Sequence, residues 1–180
     1  MLGSIGPVLV RAHDVLEVLD LLAAAGAGSV WVDGGWGVDA LLGAQSREHR
    51  DLDLVVEEED LPAVRAALQA AAFTEVPGGR AWNFVVADQA GRQVDLHVIR
   101  TGGDGTGWYG PHGQAYPACS LLGTGVIAGR AVRCLTAQYQ VRSHTGYEHD
   151  GDDVHDVMAL CERFGVPLPE QYVTDRPGRS

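Results

Sequence analysis

The stretch that decides the fold is WVDGGWGVDALLG at residues 31–43, followed by REHRDLDLVV at residues 47–56. Residues 29–32 (SVWV) favour a β-strand and run directly into a glycine pair. Apolar residues then recur at helical spacing over 36–42. The segment 51–56 alternates and then becomes apolar, as a strand entering a sheet does. The pattern predicts a strand, a tight glycine turn, a helix and a second strand.

Acidic residues on the predicted strands indicate a metal site. Asp51 and Asp53 are two positions apart, so a strand points both carboxylates to one face. Like charges so close repel each other unless a cation lies between them. Asp95 lies inside the β-like run 92–99 (RQVDLHVI), where an unpaired charge is costly. If the two strands are neighbours, the three carboxylates can hold two Mg²⁺ ions, the arrangement used in phosphoryl and nucleotidyl transfer. The alternative is a strand edge with solvated aspartates.

The glycine pair Gly34-Gly35 precedes the predicted helix 36–42. Glycines there let the backbone approach a phosphate, and the helix N-terminus offers free N–H groups and the positive end of its dipole. A pair of glycines is also common in ordinary tight turns. Its position just before the carboxylate pair favours the phosphate interpretation.

The rest of the chain alternates between helical and β-like patterns. The polar turn 88–91 predicts an antiparallel hairpin between the strands on either side of it. Residues 101–118 contain six glycines and two prolines, which predicts a long loop. The segment 167–180 is proline-rich and predicts an extended or frayed terminus. The remaining predicted helices are 8–25, 61–72, 137–145 and 150–164, and the remaining predicted strands are 81–87, 92–99, 125–127 and 131–134.

The charge of the chain limits its partners. With 24 acidic and 13 basic residues the formal net charge is −11, and the sequence contains no Lys. No basic run could neutralise phosphates, which argues against duplex nucleic acid and anionic membranes as partners. A cationic ligand would be attracted, and the acidic segment 148–156 would add to that attraction. Acidity that serves only solubility is the alternative.

Composition also bears on location and on cysteine chemistry. No run of 18 apolar residues occurs, so no membrane span is predicted. The opening residues lack a basic region followed by a sustained apolar region, so we expect a cytoplasmic protein. Cys119, Cys134 and Cys161 are an odd number at wide spacings, which fits neither a disulfide framework nor a zinc ribbon.

The segments quoted above, together with VDLH at 94–97 and TGYE at 145–148, resemble the small antibiotic nucleotidyltransferases. These are the aminoglycoside 2″-nucleotidyltransferases and their lincosamide-modifying relatives in the DNA polymerase β-like superfamily. The resemblance covers about residues 10 to 165. It implies an α+β fold, with a mixed sheet flanked by helices and further helices at the C-terminus. We expect a catalytic core at 1–135 and a helical segment and tail at 136–180 packed on that core.

The resemblance also implies roles for individual residues. Gly34 and Gly35 would cradle a nucleoside triphosphate. Asp51 and Asp53 would hold both Mg²⁺ ions, and Asp95 would be the third ligand and the general base. Arg47 and His49 match positions near the triphosphate, where a cation offsets its charge. The catalytic, metal-binding and nucleotide-binding residues are therefore expected to be Asp51, Asp53, Asp95, Gly34, Gly35, Arg47 and His49.

The implied reaction is attack of a drug hydroxyl on the α-phosphorus of a nucleoside triphosphate such as ATP, with release of pyrophosphate. The acidity favours an aminoglycoside over a lincosamide. The alternatives are a tRNA or protein acceptor, and binding of a nucleotide or cationic ligand without turnover. A homodimer is possible from sequence. His97, which shares a face with Asp95, is a predicted substrate contact, as are the residues Trp82, Tyr147 and Glu148.

Overall fold

The computed structural model of the protein describes residues 8–111 and 113–173. In this part of the chain, nine strands form one mixed sheet. The strands are β1 (Val30–Asp33), β2 (Asp51–Glu57), β3 (Thr74–Glu75), β4 (Asn83–Ala87), β5 (Gln93–Thr101), β6 (Gly107–Tyr109), β7 (Gln114–Tyr116), β8 (Gly123–Ile127) and β9 (Arg130–Cys134). Their order is β3-β4-β5-β2-β1-β9-β8, and the β6–β7 hairpin extends from β5.

Five α-helices surround the sheet in the described residues, so the α+β class is confirmed. They are α1 (Ala12–Ala24), α2 (Gly34–Leu42), α3 (Leu61–Ala70), α4 (Ala137–Ser143) and α5 (Gly151–Phe164). Helix α1 begins four residues later than the pattern predicts. Short 3₁₀ turns occupy Glu58–Asp60, Ala118–Leu122 and Glu170–Tyr172.

Strand β2 lies at the centre of the sheet, with apolar side chains on one face and both aspartates on the other. Leu52, Leu54 and Val56 are at most 1% exposed and belong to the main core with residues of α1 and α3. A fully buried side chain of this size contributes about 1.5–3 kcal/mol to stability. Because side chains alternate along a strand, this burial turns Asp51 and Asp53 to the opposite face.

The predicted hairpin at 81–99 is confirmed, since β4 and β5 pair antiparallel. The prediction of a loop over 101–118 is wrong. Strands β6 and β7 form a hairpin there, and β6 pairs with β5. One of the glycines that suggested a loop serves close packing instead: a Cβ on Gly107 would lie 2.6 Å from Ile99 Cδ1. This hairpin brings Tyr109 and Tyr116 onto the face of the sheet that carries Asp53.

The C-terminal helices pack on α2. Val38 of α2 shares a small core with Val157 and Leu160 of α5. The prediction of a frayed tail is wrong for residues 170–172, because Tyr172 is fully buried in that core and its hydroxyl donates to the His144 carbonyl at 2.5 Å. Residues 174–180 of the predicted tail lie outside the described residues. The division of the chain at residue 135 stays a prediction.

Candidate active site

Three aspartates stand side by side on adjacent strands. Asp33 of β1 is opposite Asp53 of β2 in an antiparallel pair, and Asp53 is next to Asp95 of β5 in a parallel pair. Residues in register on neighbouring strands point to the same face. The predicted meeting of Asp53 and Asp95 is confirmed. The sequence patterns predicted no role for Asp33; its place at the end of a predicted strand was the signal that could have identified it.

Two of these aspartates, Asp53 and Asp95, form a cluster with His97 that could hold a metal ion. One ligand atom from each of Asp53, Asp95 and His97 lies within 4.8 Å of the others. His97 Nε2 is 3.6 Å from Asp95 Oδ2, and His97 Nδ1 is 3.9 Å from Asp33 Oδ2. Asp51 points to the same face of β2 but lies opposite Gln93, outside this group of three. Its role as a metal ligand stays a prediction.

Crowding of negative charge alters the titration of the cluster. Burial raises the pKa of Asp53, and the neighbouring charges of Asp51 and Asp33 raise it further, to about 7. Burial alone would lower the pKa of His97, but the contact with Asp95 and the charge of Asp33 outweigh it and raise this pKa to about 9. Carboxylates that repel one another in this way favour binding of a cation.

The third aspartate has a fixed orientation. The side-chain amide of Asn83 in β4 donates a hydrogen bond of 2.8 Å to Asp95 Oδ1. Asp95 Oδ2 is the oxygen that faces His97. A hydrogen bond on one oxygen restrains the rotation of the carboxylate and leaves the other oxygen for a substrate. The sequence analysis missed Asn83, because only the pairing of β4 with β5 places it beside Asp95.

The first glycine of the pair packs against the cluster. Helix α2 begins at Gly34, whose N–H donates to Asp33 Oδ1 at 2.8 Å. Gly34 has φ +55°, and a Cβ there would lie 2.8 Å from Asp53 Cγ and still closer to a carboxylate oxygen. Only glycine fits this position without moving Asp53. The predicted approach of the α2 N-terminus to the carboxylates is therefore present in the structure.

The second glycine packs against both predicted basic residues. A Cβ on Gly35 would lie 2.6 Å from Arg47 Nη2 and 2.6 Å from His49 Cε1. Arg47 is held by Asp156, and the bond between them raises the pKa of Arg47. His49 is buried and bonded to Asp39. The structure thus brings Gly34, Gly35, Arg47 and His49 together at the start of α2.

Two cavities adjoin β2. The smaller, about 280 Å³, is bordered by Asp53 and His97 and has a wall of three tyrosines, Tyr109, Tyr116 and Tyr139. The rings of Tyr116 and Tyr139 stack with centroids 4.9 Å apart. The larger, about 730 Å³, is bordered by Asp51, Arg47, Arg50 and the start of α5. Asp53 and Asp51 of β2 therefore border two separate cavities.

Of the four predicted substrate contacts, the structure places only His97 in the cluster. Trp82 borders a different groove of about 420 Å³, together with Trp108. The Tyr147 hydroxyl donates to Asp153 Oδ1 at 3.0 Å, and Glu148 is exposed. Contacts of Trp82, Tyr147 and Glu148 with a substrate stay predictions.

A glycine turn that opens a helix beside carboxylates on adjacent strands of a mixed sheet is the arrangement that the sequence resemblance to nucleotidyltransferases implies. A model of the family described as aminoglycoside-2″-adenylyltransferase matches residues 14–160. The chain belongs to this family of antibiotic nucleotidyltransferases, so the resemblance seen in the sequence is confirmed.

Individual relatives agree with this assignment. The chain is 26% identical to a lincosamide resistance protein of Staphylococcus haemolyticus over 153 residues, which is 84% of this chain and 94% of the relative. It is 32% identical to a 2″-aminoglycoside nucleotidyltransferase of Escherichia coli over 128 residues, 63% of each protein. The chain therefore spans less than two thirds of the aminoglycoside enzyme.

Solved structures show the same fold. The lincosamide antibiotic adenylyltransferase LnuA with bound lincomycin has a TM-score of 0.76 at 26% identity, covering 85% of this chain and 98% of LnuA. ANT(2″)-Ia in complex with adenylyl-2″-tobramycin has a TM-score of 0.67 at 20% identity, covering 86% and 89%. In this chain, none of the helices described at 8–111 and 113–173 is both long and apolar enough to cross a membrane.

Proposed function

We propose that this enzyme transfers a nucleoside monophosphate, with the help of divalent metal ions, from a nucleoside triphosphate such as ATP to a hydroxyl of an antibiotic, with release of pyrophosphate. The observation that carries the proposal is the register that aligns Asp53 with Asp95 beside the glycine turn. The family contains adenylyltransferases, which supports ATP as the donor.

The donor set fits Mg²⁺. Asp53 and Asp95 offer carboxylate oxygens within 4.8 Å of each other, and Asp51 lies on the same strand face. Oxygen ligands from carboxylates are those that Mg²⁺ prefers. Two bound ions would neutralise charge on the phosphates and polarise the reacting oxygens. A nitrogen ligand suits Mg²⁺ less well, so His97 is assigned to the acceptor, as the sequence predicts.

Groups of the protein bind the phosphates, accept the proton and exclude water. The backbone N–H groups at the start of α2 approach the phosphates of the donor. Asp95 Oδ2, the oxygen that Asn83 does not bind, accepts the proton of the attacking hydroxyl. The tyrosine wall of the smaller cavity packs against the apolar face of a sugar ring and excludes water. Catalysis rests mainly on positioning and charge neutralisation.

An aminoglycoside is the first candidate acceptor. Such a drug is a polycation, and the chain has a net charge of −11 with acidic residues lining both cavities. A lincosamide is the second candidate, favoured by a specific observation. The match with the lincosamide resistance protein covers 94% of that relative, whereas the match with the aminoglycoside enzyme covers 63%.

The test is incubation of the purified protein with ATP, MgCl₂ and a panel of drugs from both classes, followed by mass spectrometry. We expect a nucleotidylated drug from one class, and none with the variant Asp53→Asn, which near neutral pH and without metal should be at least as stable to heat as the unchanged protein. No adduct in either class would contradict the antibiotic acceptor. Transfer of label from [α-³²P]ATP to RNA or protein would favour a macromolecular acceptor, and ATP binding with no transfer would favour a binding protein.

A further inference from the structure

Two basic side chains, Arg47 and His49, turn a nitrogen atom toward Gly35. Arg47 comes from the loop between α2 and β2, and His49 lies two residues further along it. Arg47 Nη2 and His49 Nδ1 are the atoms that a Cβ on Gly35 would touch. Both nitrogens therefore face the backbone where α2 begins, the place proposed for the phosphates.

Arg47 uses most of its donors on the protein. Its Nε donates to Asp156 Oδ1 at 2.9 Å, and Nη2 donates to Asp156 Oδ2 at 2.7 Å. Its Nη1 donates to the Glu48 carbonyl and to Asp152 Oδ2, each at 3.2 Å. A guanidinium carries five N–H donors, so among the described contacts one N–H of Nη2 remains. That N–H lies on the nitrogen next to Gly35.

The two acidic partners of Arg47 differ in burial. Asp156 in α5 is 1% exposed and makes a bidentate pair, which fixes the plane of the guanidinium as well as its position. The Asp152 side chain is 68% exposed and makes a single, longer contact. The orientation of Arg47 therefore depends on Asp156.

A buried ion pair is a poor source of stability, because the cost of removing two charges from water cancels most of their attraction. Helix α5 has other anchors: Val157 and Leu160 are fully buried, and Asp150 caps its first turn. A merely structural role leaves unexplained why the pair presents one free N–H to the start of α2.

We propose that Asp156 is a positioning residue of the nucleotide site, which holds Arg47 so that its free N–H meets a phosphate oxygen of the donor nucleotide. The proposal rests on the proposed function, since it takes the start of α2 as the phosphate site. Asp39 plays the matching part for His49: its Oδ2 lies 2.5 Å from Nε2 and holds the ring with Nδ1 toward Gly35. Helix α5, outside the predicted catalytic core, thereby contributes to nucleotide binding.

The test compares Asp156→Asn with Asp152→Asn, which removes the exposed partner of the same arginine. Binding of Mg·ATP and of inorganic tripolyphosphate is measured by calorimetry, and thermal unfolding without ligand checks the fold. We expect Asp156→Asn to weaken both ligands about tenfold, the effect of losing one charge-assisted hydrogen bond. Asp152→Asn should change both affinities less than about twofold, as surface pairs do.

Further measurements separate positioning from general damage. Arg47→Gln should weaken the two ligands by a similar factor, and adding Asp156→Asn to it should have little further effect, because the two residues act as one unit. In the transfer assay, KM for ATP should rise in Asp156→Asn while KM for the drug stays constant.

Unchanged affinities in a folded Asp156→Asn protein, or additive effects in the double variant, would overturn the proposal and leave the proposed function intact. If Asp156→Asn does not fold, Arg47→Gln alone decides, and tight tripolyphosphate binding by that variant refutes the proposal. Failure of the unchanged protein to bind Mg·ATP would instead refute the proposed function and this inference with it.

Discussion

Replacement of Gly34 by alanine tests the close approach of α2 to the metal cluster. Gly34 has φ +55°, and an added Cβ would lie 2.8 Å from Asp53 Cγ. The left-handed backbone costs a non-glycine residue about 1–2 kcal/mol. The clash itself falls on the end of a side chain that can rotate, so it adds little to the loss of stability. It does displace the Asp53 carboxylate from its place in the metal cluster.

Gly43→Ala is the matched control. Gly43 ends α2 with φ +77°, and nothing lies within 4 Å of an added Cβ. Both variants should lose about 1–2 kcal/mol, which for a chain of this size lowers Tm by about 2–8 °C. Only Gly34→Ala should also lose affinity for the metal, by at least about tenfold.

The assay is calorimetric titration with Mn²⁺ as a probe of the metal site, with thermal unfolding in EDTA and drug transfer measured on the same proteins. The result that refutes the reasoning is a Gly34→Ala protein that binds Mn²⁺ and transfers nucleotide as well as the unchanged enzyme does. Equal loss of Mn²⁺ affinity in Gly43→Ala would also refute it, because general destabilisation would then explain both.

Further predictions concern the carboxylates. Asp95→Asn should lower kcat by at least about 10²-fold, because proton transfer from the attacking hydroxyl is lost. Single-turnover kinetics with the drug measure this loss. Wild-type rates in the variant would exclude Asp95 as the base. Asn83→Ala should lower kcat about tenfold at constant KM for ATP, because Asp95 loses its 2.8 Å bond; a changed KM alone would contradict this role. The pKa of Asp53 is raised from 3.8, its ordinary value, to about 7 in the folded, metal-free protein. The folded state therefore holds this proton more tightly than the unfolded chain does. The resulting stability is fully present below pH 4 and is lost as the pH rises through 7. In EDTA the free energy of unfolding should therefore fall between pH 4 and 7 by at most about 1.4 kcal/mol per pH unit from this group, and Asp53→Asn should remove the slope; an equal slope in both proteins would refute the assignment.

Sequence patterns predicted what depends on neighbouring residues along the chain. The glycine pair, the helical spacing of 36–42 and the alternation from Asp51 identified the strand, turn, helix and strand of the site, because periodicity and capping act over a few residues. The same patterns predicted that Asp51 and Asp53 share one face of their strand. The polar turn at 88–91 correctly predicted the hairpin of β4 and β5.

Contacts between distant residues were beyond such patterns. The glycines of 101–118 indicated a loop, although Gly107 serves the packing of β6 on Ile99. Asn83 became a site residue only through strand pairing, which no local signal encodes.

By itself, the sequence predicted most of the residues proposed to carry the chemistry and which of them share a face, since the periodicity of one strand or one helix decides that. The tertiary structure alone decided which of them meet. Asp53 adjoins Asp95 because β5 pairs parallel to β2, and Arg47 faces Gly35 because Asp156, 109 residues away, holds it there. Contacts of this kind depend on how whole strands and helices pack together. The sequence around either residue alone does not specify that packing.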